Sequence, residues 1–383
     1  MIRDQSTLNV ILETVTDLVN KRLIPIEEEC SENDSIPKEV VNEMRELGLF
    51  GLSIPEEYGG LGLTLEEEIN VVFQLCRASP IFRSQIGTNV GIGALGIVLD
   101  GTEEQKQEYL PKLASGEMIA SFALTEAEAG SDAASLRTTA VLDGDHYVIN
   151  GSKRFITNAP EAGLFTVFAR TNQQEKGAAG ISAILVEKAT PGLTLGRNEK
   201  KMGQWGAHVC DVTFQNCRVP KSALIGKQEN VGFKTAMKSL EKSRIHIAAV
   251  CVASAERILE EALKYSIERR QFGKRICDFQ LIQAMLADSK AEIYAARSMV
   301  VETARKYDEK KNITVESSSS KLFASEMVCR VADRAVQILG GSGYIRDYAV
   351  ERFYRDVRLF RLYEGTSQIH QLIIAGRMVK DAS

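Results

Sequence analysis

The spacing of hydrophobic residues changes twice along this chain, and each change marks a different kind of structure. Before Gly116 apolar residues recur at three- and four-residue steps, as in Leu8–Leu23, which is the period of an amphipathic helix. Beyond Gly116 the spacing becomes two, and after Gly232 it returns to the helical period. A chain of 383 residues is too long for one compact core. The sequence therefore predicts an α+β protein with an N-terminal helical domain (1–119), a middle antiparallel β-barrel or sandwich domain (120–225) and a C-terminal four-helix-bundle-like domain (226–383).

The predicted β domain contains a hairpin signal. Asp143-Gly144 separates Arg137–Leu142 from His146–Asn150, and this dipeptide favours a short turn between two strands. Because no helical pattern intervenes between the strands, a mostly antiparallel sheet is favoured over a parallel one. Further strands are predicted at Phe155–Thr157, Leu164–Ala169, Gly180–Val186 and Val209–Phe214.

The sequence of the helical regions also indicates where individual helices begin, end and pack. Ser35-Ile36-Pro37 indicates the start of a second helix and Gly48 its end. Ile247–Ala253 is apolar on every side, which is typical of a helix at the centre of a bundle. Gly91–Gly96 fits the G-x-G-x-x-G pattern of dinucleotide sites, but polar Arg83-Ser84-Gln85 stands where that pattern needs a buried strand. Close packing of helices on small residues is favoured there instead.

Charge and composition exclude several classes of function. A formal net charge of -4 gives no basis for nucleic-acid binding, and no apolar run reaches the roughly 18 residues that a membrane span needs. The N-terminus does not lead into a signal-peptide core, so a soluble cytoplasmic protein is expected, with a processed mitochondrial-matrix form as the alternative. The seven Cys are scattered and never form a Cys-x-x-Cys pair, which predicts reduced core thiols. The four His lack metal-ligand spacing, so no metal is expected.

The segment Tyr363–Gln368 contains several residue types that are suited to catalysis and ligand binding. Glu364 lies between an aromatic residue and a glycine, and a carboxylate among apolar groups has a raised pKa that suits a general base. Gly365 leaves room for a ligand beside the backbone, while Thr366 and Gln368 could hold a polar ring or a ribityl chain. A simpler interpretation is that Thr366 caps a helix that begins at Ser367, and both can hold together.

Three motifs carry a resemblance to a known family. Tyr363–Gln368 is the first, Ala123–Asp132 (ALTEAEAGSD) is the second, and Gln337–Tyr344 (QILGGSGY), continuing through Asp347 and Arg352 to Asp356, is the third. Together, in this order and over nearly the whole chain, they resemble the acyl-CoA dehydrogenases. The resemblance implies the same three-domain architecture and an FAD cofactor.

Two stretches of the β domain are implied to contact the flavin. From the residues alone, the loop after Leu124 is more simply a flexible connection between domains. The resemblance instead places it, with the Phe155 strand, against FAD. Two departures from the family pattern occur here: Phe155 replaces a frequent Trp, and Ala127 a frequent Pro. The implied contacts are Phe122, Leu124, Thr125, Gly130, Ser131, Phe155, Ile156 and Thr157.

A second group of cofactor contacts is implied in the last domain. Arg269–Lys274 sets cations beside an aromatic residue, which suits a pyrophosphate, although such a cluster is more simply a solvated helix end. In the family several of these residues come from a neighbouring subunit, so a homo-oligomer, a dimer or a tetramer, is implied. The implied contacts are Arg269, Gln271, Phe272, Phe279, Gln280, Gln337, Gly340 and Gly341.

The resemblance also implies the reaction. Glu364 would take a proton from the carbon next to the thioester carbonyl while a hydride leaves the following carbon for FAD, which forms a trans-2,3 double bond in an acyl-CoA. Electrons would pass to an electron-transferring flavoprotein. Some family members carry the catalytic Glu at the position of Ser243, so here Glu364 is the only family base. Substrate contacts are expected from Ser131, Glu241, Arg244, Tyr363 and Gly365.

Two alternatives remain open at this point. The acyl group could be attached to a carrier protein rather than to CoA. A non-catalytic flavin-binding scaffold, perhaps associated with nucleic acid, is the alternative from a different class. Glu364 and the absence of a basic extension speak against that scaffold.

Overall fold

The computed structural model describes residues 1–383. Its first 114 residues are helical, as predicted. The helix predicted over Leu8–Leu23 is confirmed, and a π-helical turn at Val19–Leu23 carries it directly into the next helix. The helix predicted after Pro37 is confirmed as well, and Gly48 follows its end with φ +70°. The helices of this region are α1 (Gln5–Leu18), α2 (Ile24–Glu32), α3 (Lys38–Glu46), α4 (Leu65–Leu75), α5 (Pro80–Val90), α6 (Ile92–Asp100) and α7 (Glu103–Ala114).

Strands replace helices from Ala120 onward and form one curled seven-stranded sheet. The strands pair in the order β1-β4-β2-β3-β7-β6, with β5 on the other side of β4. The predicted hairpin is confirmed, since Asp143 pairs with His146 in antiparallel register. Two parallel pairings, of β4 with β1 and with β2, are the exceptions to the predicted antiparallel order. The strands are β1 (Ala120–Ala123), β2 (Thr139–Asp143), β3 (His146–Thr157), β4 (Leu164–Arg170), β5 (Ile181–Glu187), β6 (Leu193–Leu195) and β7 (Val209–Pro220).

One strand prediction needs correction. Phe155–Thr157 is not a separate strand, because β3 continues through it to Thr157. The pairing of β3 with β7 shifts register between Lys153 and Ile156, and Phe155 has φ +59°. Such a bulge re-aims the side chains that follow it. The Phe155 ring is 56% exposed.

The last region is a helical bundle around α8 (Gly232–Glu268). Residues Ile247–Ala253 of α8 are all buried, which confirms their predicted place at the bundle centre. Helix α4 of the first region joins the same core through Leu65, Ile69 and Phe73. The remaining elements are the hairpin β8 (Arg270–Gln271) and β9 (Lys274–Arg275), and the helices α9 (Gln280–Asp308), α10 (Thr314–Leu339), α11 (Ala349–Val357) and α12 (Ser367–Ala382).

Close packing of small residues, rather than a nucleotide, explains the glycines of Gly91–Gly96. They lie in and before α6, and helix α5 precedes them where a dinucleotide site needs a strand. A Cβ on Gly93 would come within 2.8 Å of Ala120 in β1, and one on Gly96 within 3.4 Å of Thr235 in α8. No helix of the chain combines the length and the apolar character that crossing a membrane requires.

Candidate active site

A cavity of about 370 Å³ lies where the three regions meet, and residues of all three regions line it. Helix α5 supplies Arg83 and Gly87, and the loop after β1 supplies Leu124–Ala134 in part. Helix α8 supplies one wall through Phe233, Met237 and Arg244, and the segment before α12 supplies Glu364. Concave sites of this size at domain junctions are typical of small-molecule binding.

Glu364 is the only carboxylate of the Tyr363–Gln368 segment, and its two oxygens have different surroundings. Oε1 accepts a hydrogen bond of 2.8 Å from Ser243 Oγ. Oε2 is buried and has no hydrogen-bond partner in the chain. The residue has φ +54°, a left-handed conformation that side chains adopt rarely and that occurs preferentially at functional sites. A buried acceptor without a partner is free to receive a proton from a ligand in the cavity.

Burial raises the pKa of the Glu364 carboxyl above its ordinary value. The positive charge of Arg83 opposes this shift most strongly, followed by the Ser243 hydrogen bond and the charges of Lys321 and Arg244. The net direction is upward, as the sequence predicted. A carboxylate whose pKa lies closer to neutrality is a stronger general base than an exposed one.

This pKa shift predicts the pH dependence of any proton abstraction by Glu364. Below its raised pKa the carboxyl holds a proton and cannot act as a base, so the rate should rise with pH through that value. Ser243→Ala removes a hydrogen bond to the charged form and should move the midpoint of the rate profile to higher pH. Stopped-flow reduction of the bound flavin from pH 5 to 9 measures the midpoint. An unchanged midpoint in Ser243→Ala would show that the group titrating in the rate profile is not Glu364.

Two buried residues, Lys321 and His370, contact the loop that carries Glu364. Lys321 Nζ donates a 2.7 Å hydrogen bond to the carbonyl of Gly365, and burial lowers the pKa of this lysine to about 8. Gly365 has φ +99°, and a Cβ there would lie 3.0 Å from Nε2 of His370. The space expected beside Gly365 is thus partly used by the His370 ring. Tyr363 lines the cavity and stacks on Phe360 with 5.9 Å between ring centroids.

The first group of expected flavin contacts lies in the same cavity as Glu364. Gly130 is surrounded by open space, since a Cβ built on it meets nothing within 4 Å. Phe155 presents a largely exposed ring with the Arg154 guanidinium 4.8 Å from its centroid. Aromatic, hydroxyl and glycine positions facing one open space fit a planar cofactor with a polar chain. All eight line the cavity: Phe122, Leu124, Thr125, Gly130, Ser131, Phe155, Ile156 and Thr157.

A buried ion pair fixes the loop that carries these contacts. Lys153 is completely buried, and its Nζ donates to Glu126 Oε1 at 2.7 Å and to the carbonyl of Leu124 at 3.1 Å. Glu126 in turn accepts from the backbone N–H groups of Arg137 and Thr138. Sequence analysis missed this pair. The signal was present, because Lys153 continues the odd-numbered, inward-facing series of β3 that begins with Tyr147.

The second group lies elsewhere, on the outer surface of the bundle. Phe272 is 91% exposed at the tip of the β8–β9 hairpin, and Phe279 is partly buried against it with 6.0 Å between ring centroids. None of the group lines the cavity that contains Glu364. The exposed members are Arg269, Gln271, Phe272, Gln280, Gln337, Gly340 and Gly341.

Three other expected contacts lie outside the cavity lining. Thr366 Oγ1 accepts from the N–H of Ile369, so the expected cap of α12 is present. Gln368 is exposed. Glu241 accepts a 2.8 Å hydrogen bond from Thr314 Oγ1 at the start of α10. Among the expected substrate contacts, Ser131, Arg244, Tyr363 and Gly365 do line the cavity.

Two arginines in the cavity wall lack partners. Arg83 and Arg244 are 7% and 8% exposed, and the Nε atom of each is buried without a hydrogen-bond acceptor. Arg83 was not among the predicted site residues. Its sequence neighbours Ser84 and Gln85 are polar and only partly buried, but the other nine residues of α5, Arg83 among them, are buried.

Comparisons with known proteins agree with this geometry. The acyl-CoA dehydrogenase N-terminal, middle and C-terminal domain families match residues 6–117, 121–217 and 230–379. The caffeyl-CoA reductase-Etf complex subunit CarC of Acetobacterium woodii is 40% identical over 97% of this chain and 98% of its own. An acyl-CoA dehydrogenase of Bacillus subtilis is 41% identical over 94% of this chain and 95% of its own.

A solved structure shows the same fold over the full length. Butyryl-CoA dehydrogenase from Megasphaera elsdenii superimposes with a TM-score of 0.95 at 36% identity and covers 99% of this chain and 100% of its own. The helical first domain, the curled middle sheet and the helical last domain correspond to the same architecture. The chain belongs to the acyl-CoA dehydrogenase family, whose members are FAD-dependent oxidoreductases that act on acyl-CoA.

Proposed function

We propose that this protein dehydrogenates an acyl-CoA thioester to the trans-2-enoyl-CoA, with Glu364 as the base. The observation that carries the proposal is the Glu364 carboxylate, which has a raised pKa and one buried oxygen without a partner. It lines the same cavity as the segments suited to a flavin. FAD, when bound, supplies the acceptor for the hydride that leaves carbon 3.

The remaining steps fall to the chain's own side chains and backbone. Glu364 Oε2 receives the proton from carbon 2, while Ser243 holds Oε1 and fixes the orientation of the carboxylate. The backbone N–H of Glu364 makes no hydrogen bond within the chain. It is therefore a candidate donor to the thioester oxygen, where negative charge develops as the proton leaves. Helices α5 and α8 form part of the cavity wall beside Glu364.

An electron-transferring flavoprotein is the proposed electron partner. Support comes from the relative named as a subunit of a caffeyl-CoA reductase-Etf complex. It also comes from a structure described as an electron transferring flavoprotein of Acidaminococcus fermentans, whose matching chain is 39% identical with a TM-score of 0.95. Other relatives are named reductases, such as the acryloyl-CoA reductase (NADH) of Anaerotignum propionicum at 40% identity. The same groups would serve the reductive direction with reversed roles, because each step is reversible: protonated Glu364 would return the proton to carbon 2, and reduced FAD, when bound, would supply the hydride to carbon 3.

A carrier-protein thioester is the second candidate substrate. The prolyl acyl carrier protein oxidase AnaB superimposes with a TM-score of 0.94 at 31% identity over 98% of this chain. The two candidates differ only in what lies beyond the sulfur atom, so the chemistry at Glu364 is common to both.

Anaerobic titration tests the proposal and separates the two carriers. Purified holoenzyme is mixed with a panel of acyl-CoA thioesters and with the same acyl groups on a carrier protein. Loss of flavin absorbance with stoichiometric enoyl-CoA is the expected result. Reduction by the carrier-bound series alone would replace CoA with a carrier protein, and no reduction by any member would refute the proposal.

Arg244 is proposed to bind the charged thioester carrier. It lines the cavity and has an unpartnered Nε. Arg244→Ala should raise the half-saturating acyl-CoA concentration about 10- to 100-fold, the range for loss of a charge-assisted hydrogen bond. The limiting rate of reduction should fall less, and Arg244→Lys should restore part of the affinity. The opposite pattern, a lost limiting rate at unchanged half-saturation, would assign Arg244 to the chemical step.

A homo-oligomer is proposed to complete the flavin site. The Arg269–Phe272 and Gln337–Gly341 surfaces carry the expected cofactor contacts but lie outside this chain's own cavity. Large apolar side chains are exposed on the same domain, as expected of a buried subunit interface. They include Leu281 (81% exposed), Tyr294 (72%) and Tyr344 (83%).

A further inference from the structure

We propose that Lys321 is a positioning residue for the reaction at Glu364: it holds the Glu364–Gly365 backbone in its strained conformation, and its buried charge favours the ionised form of the base. The proposal rests on the proposed dehydrogenase function and adds to it a residue that lies outside the cavity lining. Its starting point is a buried cation that has no carboxylate partner.

Lys321 differs in its pairing from the other buried lysines of the chain. Each of the other two is paired with a glutamate at 2.7 Å, Lys153 with Glu126 and Lys242 with Glu68. Lys321 is completely buried, yet it takes part in no ion pair, and its Nζ donates only to the backbone carbonyl of Gly365, at 2.7 Å. A buried charge without a counter-charge is unfavourable for folding, so its presence beside a candidate active site points to a role there.

The hydrogen bond to Gly365 acts on a strained stretch of backbone. Glu364 has φ +54° and Gly365 has φ +99°, so two successive residues have positive φ. This conformation is unfavourable for a glutamate, because its Cβ crowds the carbonyl that follows. Such residues persist only where the surrounding structure constrains them strongly. Lys321 holds the carbonyl of Gly365 and the Thr366 cap fixes the next residue, so both constraints act directly after the base.

Lys321 also acts on the Glu364 carboxylate through its charge. Burial lowers the pKa of Lys321 to about 8, so the ammonium group remains charged below that pH. Its charge opposes the rise in the pKa of Glu364 that burial causes. Glu364 therefore stays ionised to a lower pH beside Lys321 than it would beside a neutral residue.

Of the three cations that act on Glu364, Lys321 alone lies outside the cavity lining. Arg83 and Arg244 line the cavity, where the charge of a bound ligand reaches them. His370 adds no charge, because burial lowers its pKa to about 3 and the ring stays neutral. The remaining titratable groups are the Cys251 thiol and the Tyr363 phenol, whose pKa values burial raises, and Glu326, which accepts from Arg361 and Ser367. Lys321 is thus the cation that acts on the base without contacting the ligand space.

Two substitutions separate the two roles of Lys321. Lys321→Gln keeps a donor for the Gly365 carbonyl and removes the charge, whereas Lys321→Met removes both. Each replaces an unpaired buried charge by a neutral side chain of similar length, so the fold should remain intact. Lys242→Gln is the control, since it removes the charge of a buried lysine that is paired with Glu68 instead. Flavin content and melting temperature show whether each variant folds.

Two measurements are made on each holoenzyme. Stopped-flow reduction of the flavin by the best acyl-CoA, from pH 5 to 9, gives the midpoint of the rate profile and the limiting rate. Difference infrared spectroscopy against the corresponding Glu364→Gln protein gives the protonation midpoint of the Glu364 carboxyl without any substrate. The infrared measurement does not depend on the dehydrogenase function. A wild type that no acyl-CoA reduces would refute that function, and the infrared midpoints would still decide whether Lys321 acts on Glu364.

In Lys321→Gln both midpoints are expected to move to higher pH, while the limiting rate stays close to that of the wild type. In Lys321→Met the midpoints should move in the same direction, and the limiting rate should also fall about 10- to 100-fold, the range for loss of a charge-assisted hydrogen bond. Lys242→Gln should leave both midpoints unchanged.

Several results would overturn the proposal. Unchanged midpoints in Lys321→Gln would do so, and so would an unchanged limiting rate in Lys321→Met. An equal shift of the midpoints in Lys242→Gln would show that the loss of any buried lysine is sufficient. Loss of the fold in both Lys321 variants would also overturn the proposal, because Lys321 would then support the fold rather than the base.

Discussion

Glu364→Gln is expected to bind FAD and substrate and yet to lose flavin reduction almost completely. The amide keeps the shape of the side chain and can still accept the Ser243 hydrogen bond, but it cannot take a proton. General base catalysis contributes roughly 10²- to 10⁴-fold to a rate, and a drop at the upper end is expected because the cavity supplies no other carboxylate at this position. Stopped-flow absorbance under anaerobic conditions measures the reduction.

A nearby glutamate provides the matched control. Glu326 lies beneath the same loop, where it accepts hydrogen bonds from Arg361 and Ser367, but it does not line the cavity. Glu326→Gln keeps an acceptor and should reduce its flavin at close to the wild-type rate. Substantial turnover in Glu364→Gln, or an equal loss of flavin reduction in Glu326→Gln, would show that Glu364 is not the catalytic base.

Arg269→Glu is expected to give a flavin-poor protein of smaller apparent mass. If the exposed surface around Arg269 completes the flavin site of a neighbouring subunit, cofactor binding and assembly stabilise each other by mass action. A carboxylate at position 269 would face the FAD pyrophosphate and repel it. Light scattering combined with flavin absorbance measures both quantities in one sample.

The control for Arg269→Glu is Lys176→Glu, which makes the same change of charge on an exposed loop between β4 and β5. It should retain both flavin and mass. Wild-type protein stripped of FAD should also dissociate to a smaller species. A monomer that keeps stoichiometric FAD on dilution would show that one chain builds the whole site.

The spacing of hydrophobic residues along the chain was sufficient to predict the order of the helical, β and helical domains. The changes of spacing near Gly116 and Gly232 correspond to the change from α7 to β1 and the start of α8. Turn chemistry at Asp143-Gly144 fixed the hairpin register, since Asp143 pairs with His146. These are local properties, which a chain carries in its sequence.

Burial of charged residues was not predictable in the same way. Glu66, Glu67 and Glu68 look like a solvated acidic run but are all at most 4% exposed. Glu66 pairs with Arg305 at 2.7 Å, and Glu68 with Lys242 at 2.7 Å. Their partners are more than 170 residues away in the chain. Such pairing depends on how α4 packs against the bundle, and the same applies to the enclosure of Arg83.

The Tyr363–Gln368 segment was predicted in part. The raised pKa of Glu364 was foreseen, and burial of its carboxyl is the cause. The residues that contact and position the Glu364 loop were not foreseen. They are Ser243, Lys321 and His370, which lie in α8, α10 and α12 and are distant from one another in the sequence. Thr366 proved to be a helix cap. One segment therefore showed where the base lies, while its supporting groups needed the tertiary structure.

Deuterium substitution tests the central claim most directly. Wild-type holoenzyme is reduced anaerobically by its best acyl-CoA, unlabelled or deuterated at carbon 2 or at carbon 3, and the loss of flavin absorbance is timed. The account predicts that each label slows the reduction, because Glu364 breaks the bond at carbon 2 and hydride transfer breaks the bond at carbon 3. It also predicts one 2-enoyl-CoA for each flavin reduced. Reduction that is insensitive to both labels, or a product without the 2,3 double bond, would contradict it.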